Sequence, residues 1–68
     1  MYNLKWKNKF SGEEGYVAKV QKAKGYFENT FDQSAARTFK TQKDCDKVIQ
    51  TLGEIGEAEQ NDFFAVEV

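Results

Sequence analysis

The chain has 68 residues, a net charge of −1, one cysteine, no histidine and no proline. That length makes one domain, residues 1–68, burying only ~60% of its unfolded surface. A single cysteine excludes an internal disulfide and any zinc-type cysteine spacing, the near-zero charge argues neither for strong DNA affinity nor for an acidic DNA mimic, and no run approaches the ~20 apolar residues of a membrane-spanning helix. Hydrophobic burial, at roughly 25 cal/mol per Å², has to do most of the stabilising. Aromatic side chains, 15% of the sequence, are the obvious source of it. The start, MYNLKWKNKF, has no apolar run. With a free cysteine, that leads to the expectation of a cytoplasmic protein.

Tyr2, Leu4 and Trp6 alternate with Asn3, Lys5 and Lys7, the pattern of a half-buried strand with one apolar and one basic-polar face. Asn8 to Gly15 (NKFSGEEG) reads as a loop, with Phe10 expected to fold back as a lid on the core. Tyr16 to Ala23 reads as the second strand, with Tyr16, Ala18 and Val20 inward and Val17, Lys19 and Gln21 outward. Lys24-Gly25 reads as a tight turn into a third strand, Tyr26 to Phe31. A two-residue turn would pair Ala23 with Tyr26, Lys22 with Phe27, Val20 with Asn29 and Ala18 with Phe31; a three-residue turn with a glycine bulge would shift that register.

Asp32 to Lys40 connects sheet to helix. Asp32 or Ser34 can cap a single helical turn there, and Ala36 and Phe39 are its anchors. Cys45, Val48, Ile49 and Leu52 then recur at i, i+3, i+4 and i+7, predicting a helix over 42–52. Thr41 is its N-cap, accepting from the amide of Asp44, and Gly53 follows as a left-handed C′ residue. Glu54 to Asp62 is acidic and broken by Gly56, with Ile55 tucked against the helix end. Phe63 to Val68 reads as the last strand, with Phe64, Val66 and Val68 on one face and Phe63, Ala65 and Glu67 on the other.

The order is β-β-β-α-β: an α+β fold with a mainly antiparallel sheet of about four strands and one helix on one face. The last strand is expected beside the first. If the helix runs back down the sheet, that pairing is parallel with a right-handed crossover. The predicted core is Tyr2, Leu4, Trp6, Ala18, Val20, Phe27, Phe31, Phe39, Cys45, Val48, Ile49, Leu52, Phe64 and Val66.

The run Ala36-Arg37-Thr38-Phe39-Lys40-Thr41-Gln42-Lys43, followed by Cys45, Val48, Ile49 and Leu52, resembles a pattern in small phage- and prophage-encoded bacterial proteins. In those, a β-hairpin leads into an A-x-x-F-x-T segment and a short amphipathic helix ending near a glycine. Cys45 stands where such proteins usually carry alanine. The resemblance implies a setting, the inhibition or redirection of host machinery by some such proteins, and no reaction or functional residue.

Catalysis has little to draw on. Without histidine the commonest general base is missing, and Ser11 and Ser34 have no basic partner nearby in sequence. Cys45 sits near a helix N-terminus, where a thiolate is favoured. It also lies on the apolar stripe between Asp44 and Asp46, which favours a core thiol. Glu54, Glu57, Glu59 and Asp62 read as a solvated loop, with a weak cation site as the alternative; their spacing matches no calcium-loop pattern. Gly12 and Gly15 lack the Lys-Ser/Thr of a phosphate loop. No catalytic residue, cofactor or metal site is expected.

Two surfaces stand out. Lys5, Lys7, Lys19, Gln21 and Tyr26 would share an open sheet face, read as an ordinary solvated face, a nucleic-acid contact or a protein contact. Phe63, near the chain's end, would mark an interaction edge or pack beneath the 54–62 loop. The reading is a non-catalytic cytoplasmic interaction module acting on a host or phage protein. The alternatives are a nucleic-acid-binding module using the basic face and a homodimer formed through strand edges or Phe63; no membrane partner is expected.

Overall fold

The computed structural model describes residues 1–68. Its five strands and one helix run in the order β1 (Tyr2–Asn8), β2 (Glu14–Gln21), β3 (Tyr26–Thr30), β4 (Thr38–Phe39), α1 (Gln42–Glu54) and β5 (Asn61–Glu67), with single 3-10 turns at Lys22–Lys24, Gln33–Ala35 and Glu57–Glu59. The α+β class and the sheet-with-one-helix plan are as the sequence predicts. The extra strand, β4, lies in the connector before the helix.

β1 is the hub of the sheet. β5 pairs with it along its whole length, from Tyr2↔Glu67 to Asn8↔Asn61. β2 pairs with it only at Lys5, Trp6 and Lys7, and β4 only at Tyr2 and Asn3. A strand has two edges, so β2 and β4 share one of them: β2 leaves β1 beyond Tyr16, and β4 takes up the vacated length. The Arg37 amide donates to the Val17 carbonyl at 3.1 Å, which ties the entry of β4 to β2.

The insertion of β4 fixes the direction of both α1 and β5. The connector brings the chain to the Tyr2 end of β1, so α1 runs back along the sheet toward the Asn8 end. β5 then descends antiparallel to β1. The parallel pairing with a right-handed crossover, expected from the sequence, is therefore replaced by an antiparallel one.

The β2–β3 hairpin also corrects the sequence reading. Four residues, Lys22 to Gly25, form the turn, with Gly25 left-handed at φ 73°. Gln21 faces Tyr26, Val20 faces Phe27 and Lys19 faces Glu28, whereas Val17 faces Asn29 and Tyr16 faces Thr30. The step between Val17 and Lys19 is irregular, leaving Ala18 as the extra residue of a bulge. A bulge inverts the alternation beyond it. Val17 points into the core, fully buried, and Tyr16 points out beside Lys5.

The helix forms where its apolar period puts it. Thr41 Oγ1 accepts from the Asp44 amide at 3.2 Å. Cys45 and Leu52 are fully buried, and Val48 and Ile49 pack against the same core. The helix ends at Glu54, so Gly53 is its penultimate residue, and the left-handed glycine of the exit is Gly56, at φ 88°. The Ile55 amide donates to the Thr51 carbonyl and the Gly56 amide to Gly53, satisfying carbonyls the helix leaves open. In the connector, Asp32 Oδ1 accepts from the Ser34 amide at 3.0 Å and its hydroxyl at 2.8 Å, holding the single turn anticipated there.

Only nine of 68 residues are buried, so a few side chains carry the core: Leu4, Trp6, Val17, Phe39, Cys45 and Leu52. Phe27 meets Phe63 at 5.3 Å between ring centroids and Trp6 at 6.4 Å, both edge-on. Phe31, predicted as core, touches Trp6 at 5.9 Å but is 65% exposed, and Phe10 is 82% exposed and covers nothing.

Candidate functional site: the open face of the sheet

Strand register decides which side chains share the face away from α1. Thr30, Tyr16, Lys5 and Phe64 form one row across β3, β2, β1 and β5. Glu14, Lys7 and Asp62 form the next. Lys19 with Glu28, and Gln21 with Tyr26, form a second patch on the β2–β3 hairpin. Lys5, Lys7, Lys19, Gln21 and Tyr26 thus all lie on this face, though in two groups: Lys5 and Lys7 at the centre, the other three toward the hairpin turn.

Phe63 and Phe64 exchange the faces expected of them. Phe63 pairs with Trp6 on the helix side, half-buried against Phe27, so its ring is part of the core wall and not an exposed edge marker. Phe64 pairs with Lys5 on the open side, 39% exposed. Several bonds set this register: the Val68 amide donates to the Met1 carbonyl at 2.9 Å, the Lys9 amide to Gln60 at 2.8 Å, and Asn8 Nδ2 to Asn61 Oδ1 at 3.4 Å. Counting apolar residues favours Phe64, Val66 and Val68 as the inner set, but hydrogen-bond register outranks that count.

Lys5 organises the centre. Its Nζ donates to Glu14 Oε1 at 3.1 Å and stands 5.5 Å from the Tyr16 ring centroid and 6.0 Å from that of Phe64. The ammonium is thus held between two ring faces and a carboxylate. Lys5's hydrogen bond, then its charge, with a smaller contribution from Lys7, hold the Glu14 carboxyl below the usual carboxylate range. Lys9 reaches Asp62 at 3.8 Å, and Gln21 Nε2 donates to Glu28 Oε2 at 3.0 Å. Of the three lysines on this face, Lys5 is ion-paired, Lys7 faces Glu14 and Asp62 across the ladder, and Lys19 faces Glu28.

One end of the face is closed. Asn3, which alternation also puts there, is buried: Nδ2 donates to the Arg37 carbonyl at 3.1 Å, and Oδ1 accepts from Gln33 Nε2 at 3.3 Å. The sequence reading missed Tyr16, Phe64, Glu14 and Asp62 as members of this face. Gly15 carried a signal for Tyr16, because a glycine inside a strand marks close approach, here of Trp6. With Gly15 inward against Trp6, strand alternation turns Tyr16 outward.

The groups that suggested chemistry are placed otherwise. Cys45 is a buried free thiol; burial pushes its pKa up, with Asp46 and Asp44 adding to the rise and Arg37 opposing it. No three of the histidine, cysteine, aspartate and glutamate side chains gather closely enough to hold a metal ion, and the surface has no pocket. Trp6 Nε1 is buried without a hydrogen-bond partner, and nothing in the structure explains it.

Fold and face together define the class: a small sheet-and-helix domain with a flat aromatic and charge-paired surface. No protein-family model, no curated protein and no solved structure matches the chain. No helix is long and apolar enough to cross a membrane.

Proposed function

We propose that the chain is a small non-catalytic protein-interaction module of the cytoplasm, in a phage or prophage setting, that occupies the surface of a larger protein with the open face of its sheet. The observation that carries this reading is the Tyr16–Lys5–Phe64 row with its surrounding charge pairs. A polyanion-binding face presents unpaired cations. Here each lysine named has a carboxylate bonded to it or facing it in the ladder, leaving a nearly neutral surface with rings at its centre. Rings ringed by polar groups are the composition of a protein interface. The Cα envelope measures 27 × 24 × 16 Å.

The test is capture from lysates of candidate hosts with the native chain, a Tyr16→Ser/Phe64→Ser variant and a Phe10→Ser control. A stoichiometric partner held by the native chain and the control, and lost with the double variant, is the expected result. No such partner across several lysates, or one held equally by the double variant, overturns the reading.

A second reading has one observation in its favour: Tyr16, Tyr26 and Phe64 share the face with Lys5, Lys7 and Lys19, and single-strand nucleic-acid binders stack bases on such rings. Labelled single-stranded oligonucleotides at ~50 mM salt, where phosphate contacts are strongest, decide it; no binding there removes it.

A further inference from the structure

We infer that the outer edge of β5 is a strand-addition site for an extended, basic segment of a partner protein. This inference rests on the interaction-module reading and names a second surface and a partner chemistry for it. The Val68–Met1 and Lys9–Gln60 hydrogen bonds fix the phase of the β1–β5 ladder. In an antiparallel ladder alternate residues bond inward. Those are the even-numbered residues of β5, so the amides and carbonyls of Phe63, Ala65 and Glu67 point away from β1, toward no other strand. Three donors and three acceptors stand in line there. At the start of β5 the Asn61 side chain turns back to the preceding turn, its Nδ2 donating to the Glu57 carbonyl.

Apart from the two-residue β4, the sheet's two edge strands differ. β3 is five residues long, carries Glu28 at its centre and pairs with a bulged neighbour, three devices that discourage strand addition. β5 is seven residues long, regular throughout, free of lysine and proline, and uncharged from Phe63 to Val66. Its guard is missing where the other edge has one.

Charge selects the occupant. Beyond Lys47 the chain has five acids, Glu54, Glu57, Glu59, Asp62 and Glu67, and no base. Lys9 is the one cation bonded to that set, at Asp62. An incoming alternating strand places its apolar side chains beside Phe64 and Val66 on the open face and its lysines or arginines on the other face beside Glu67, with Asp62 adding its charge at the strand's start. A second copy of β5 brings the same acids to the same edge, so a basic partner is favoured over self-pairing.

The test uses the ¹⁵N-labelled full chain and a capped octapeptide alternating lysine with valine, against one alternating glutamate with valine. The expected result is lysine-peptide binding that shifts the Phe63, Ala65 and Glu67 amides, slows their hydrogen exchange by about tenfold and weakens between ~50 and ~200 mM salt. Ala65→Pro removes an outward amide without touching the β1 ladder, and should cost about tenfold in affinity. If that variant does not fold, Asp62→Lys/Glu67→Lys, with a reversed peptide preference, serves instead. Equal binding of both peptides, no shift at these amides, affinity unchanged in the variants, or concentration-dependent self-pairing of β5 each overturns the inference. Lysate capture lost in the Tyr16→Ser/Phe64→Ser variant but kept in Ala65→Pro leaves the module reading standing while strand addition fails.

Discussion

Trp6 lies against Gly15, its partner across the β1–β2 ladder: a Cβ on Gly15 would come within 3.0 Å of Nε1, Cε2 and Cζ2 of the indole. The backbone at Gly15 has no positive φ, so the requirement for glycine there is the ring and not the chain. Gly15→Ala should therefore push Trp6 off its seat and cost about 1–3 kcal/mol, the usual range for overfilling a packed site. Urea unfolding followed by the fluorescence of Trp6, the only tryptophan, measures it. A midpoint equal to the native one shows that the ring moves freely.

Gly53 is the opposite case. It lies within α1, exposed, and a Cβ there meets nothing within 4 Å. Gly53→Ala should stabilise the fold by about 0.5–1 kcal/mol, raising Tm by several degrees in a domain of this size. Differential scanning calorimetry reads the shift. Had Gly53 been the left-handed C′ residue that its position in the sequence suggests, the same change would lower Tm.

Asn3 couples the connector to the sheet by accepting from Gln33 Nε2 and donating to the Arg37 carbonyl, both from a buried position. Asn3→Ala leaves both partners without it and should cost about 1–3 kcal/mol. The change also loosens the entry of β4, so the Arg37 amide, bonded to Val17, should exchange faster than amides in α1. Hydrogen exchange that rises uniformly instead would mean Asn3 contributes only bulk stability.

Burial raises the pKa of Cys45 in the folded chain above its unfolded value. The stability this contributes is fully present below the unfolded value, about pH 8.5, and is lost as pH rises through the folded one. Unfolding free energy should therefore fall more steeply above about pH 8.5 in the native chain than in Cys45→Ala. Native Cys45 should also resist iodoacetamide at neutral pH until urea opens the fold. Rapid alkylation without urea would show the thiol exposed.

Local signals were legible in the sequence and long-range ones were not. Thr41, the Cys45–Leu52 stripe, the Asp32 turn and the Tyr2–Leu4–Trp6 alternation are each set by neighbours a few residues apart. Local alternation puts Tyr16 and Phe64 on the wrong face because their placement depends on partners far along the chain: the bulge opposite β3 for one, and pairing with β1 across more than fifty residues for the other. At both, the side-chain period of two turned a single-step error into a full inversion. The open face was legible through Lys5, Lys7 and Lys19, but its rings were hidden by those inversions.

β1 is the first strand of the chain and β5, its full-length neighbour, is the last. On a ribosome the hub therefore emerges long before the strand that zips against it, and helix and hairpin have time to form while its flank stays bare. Closing so wide a loop is slow relative to local structure. The final seam should set the folding rate, and until it closes the newborn chain is most exposed to chaperones and to sticking.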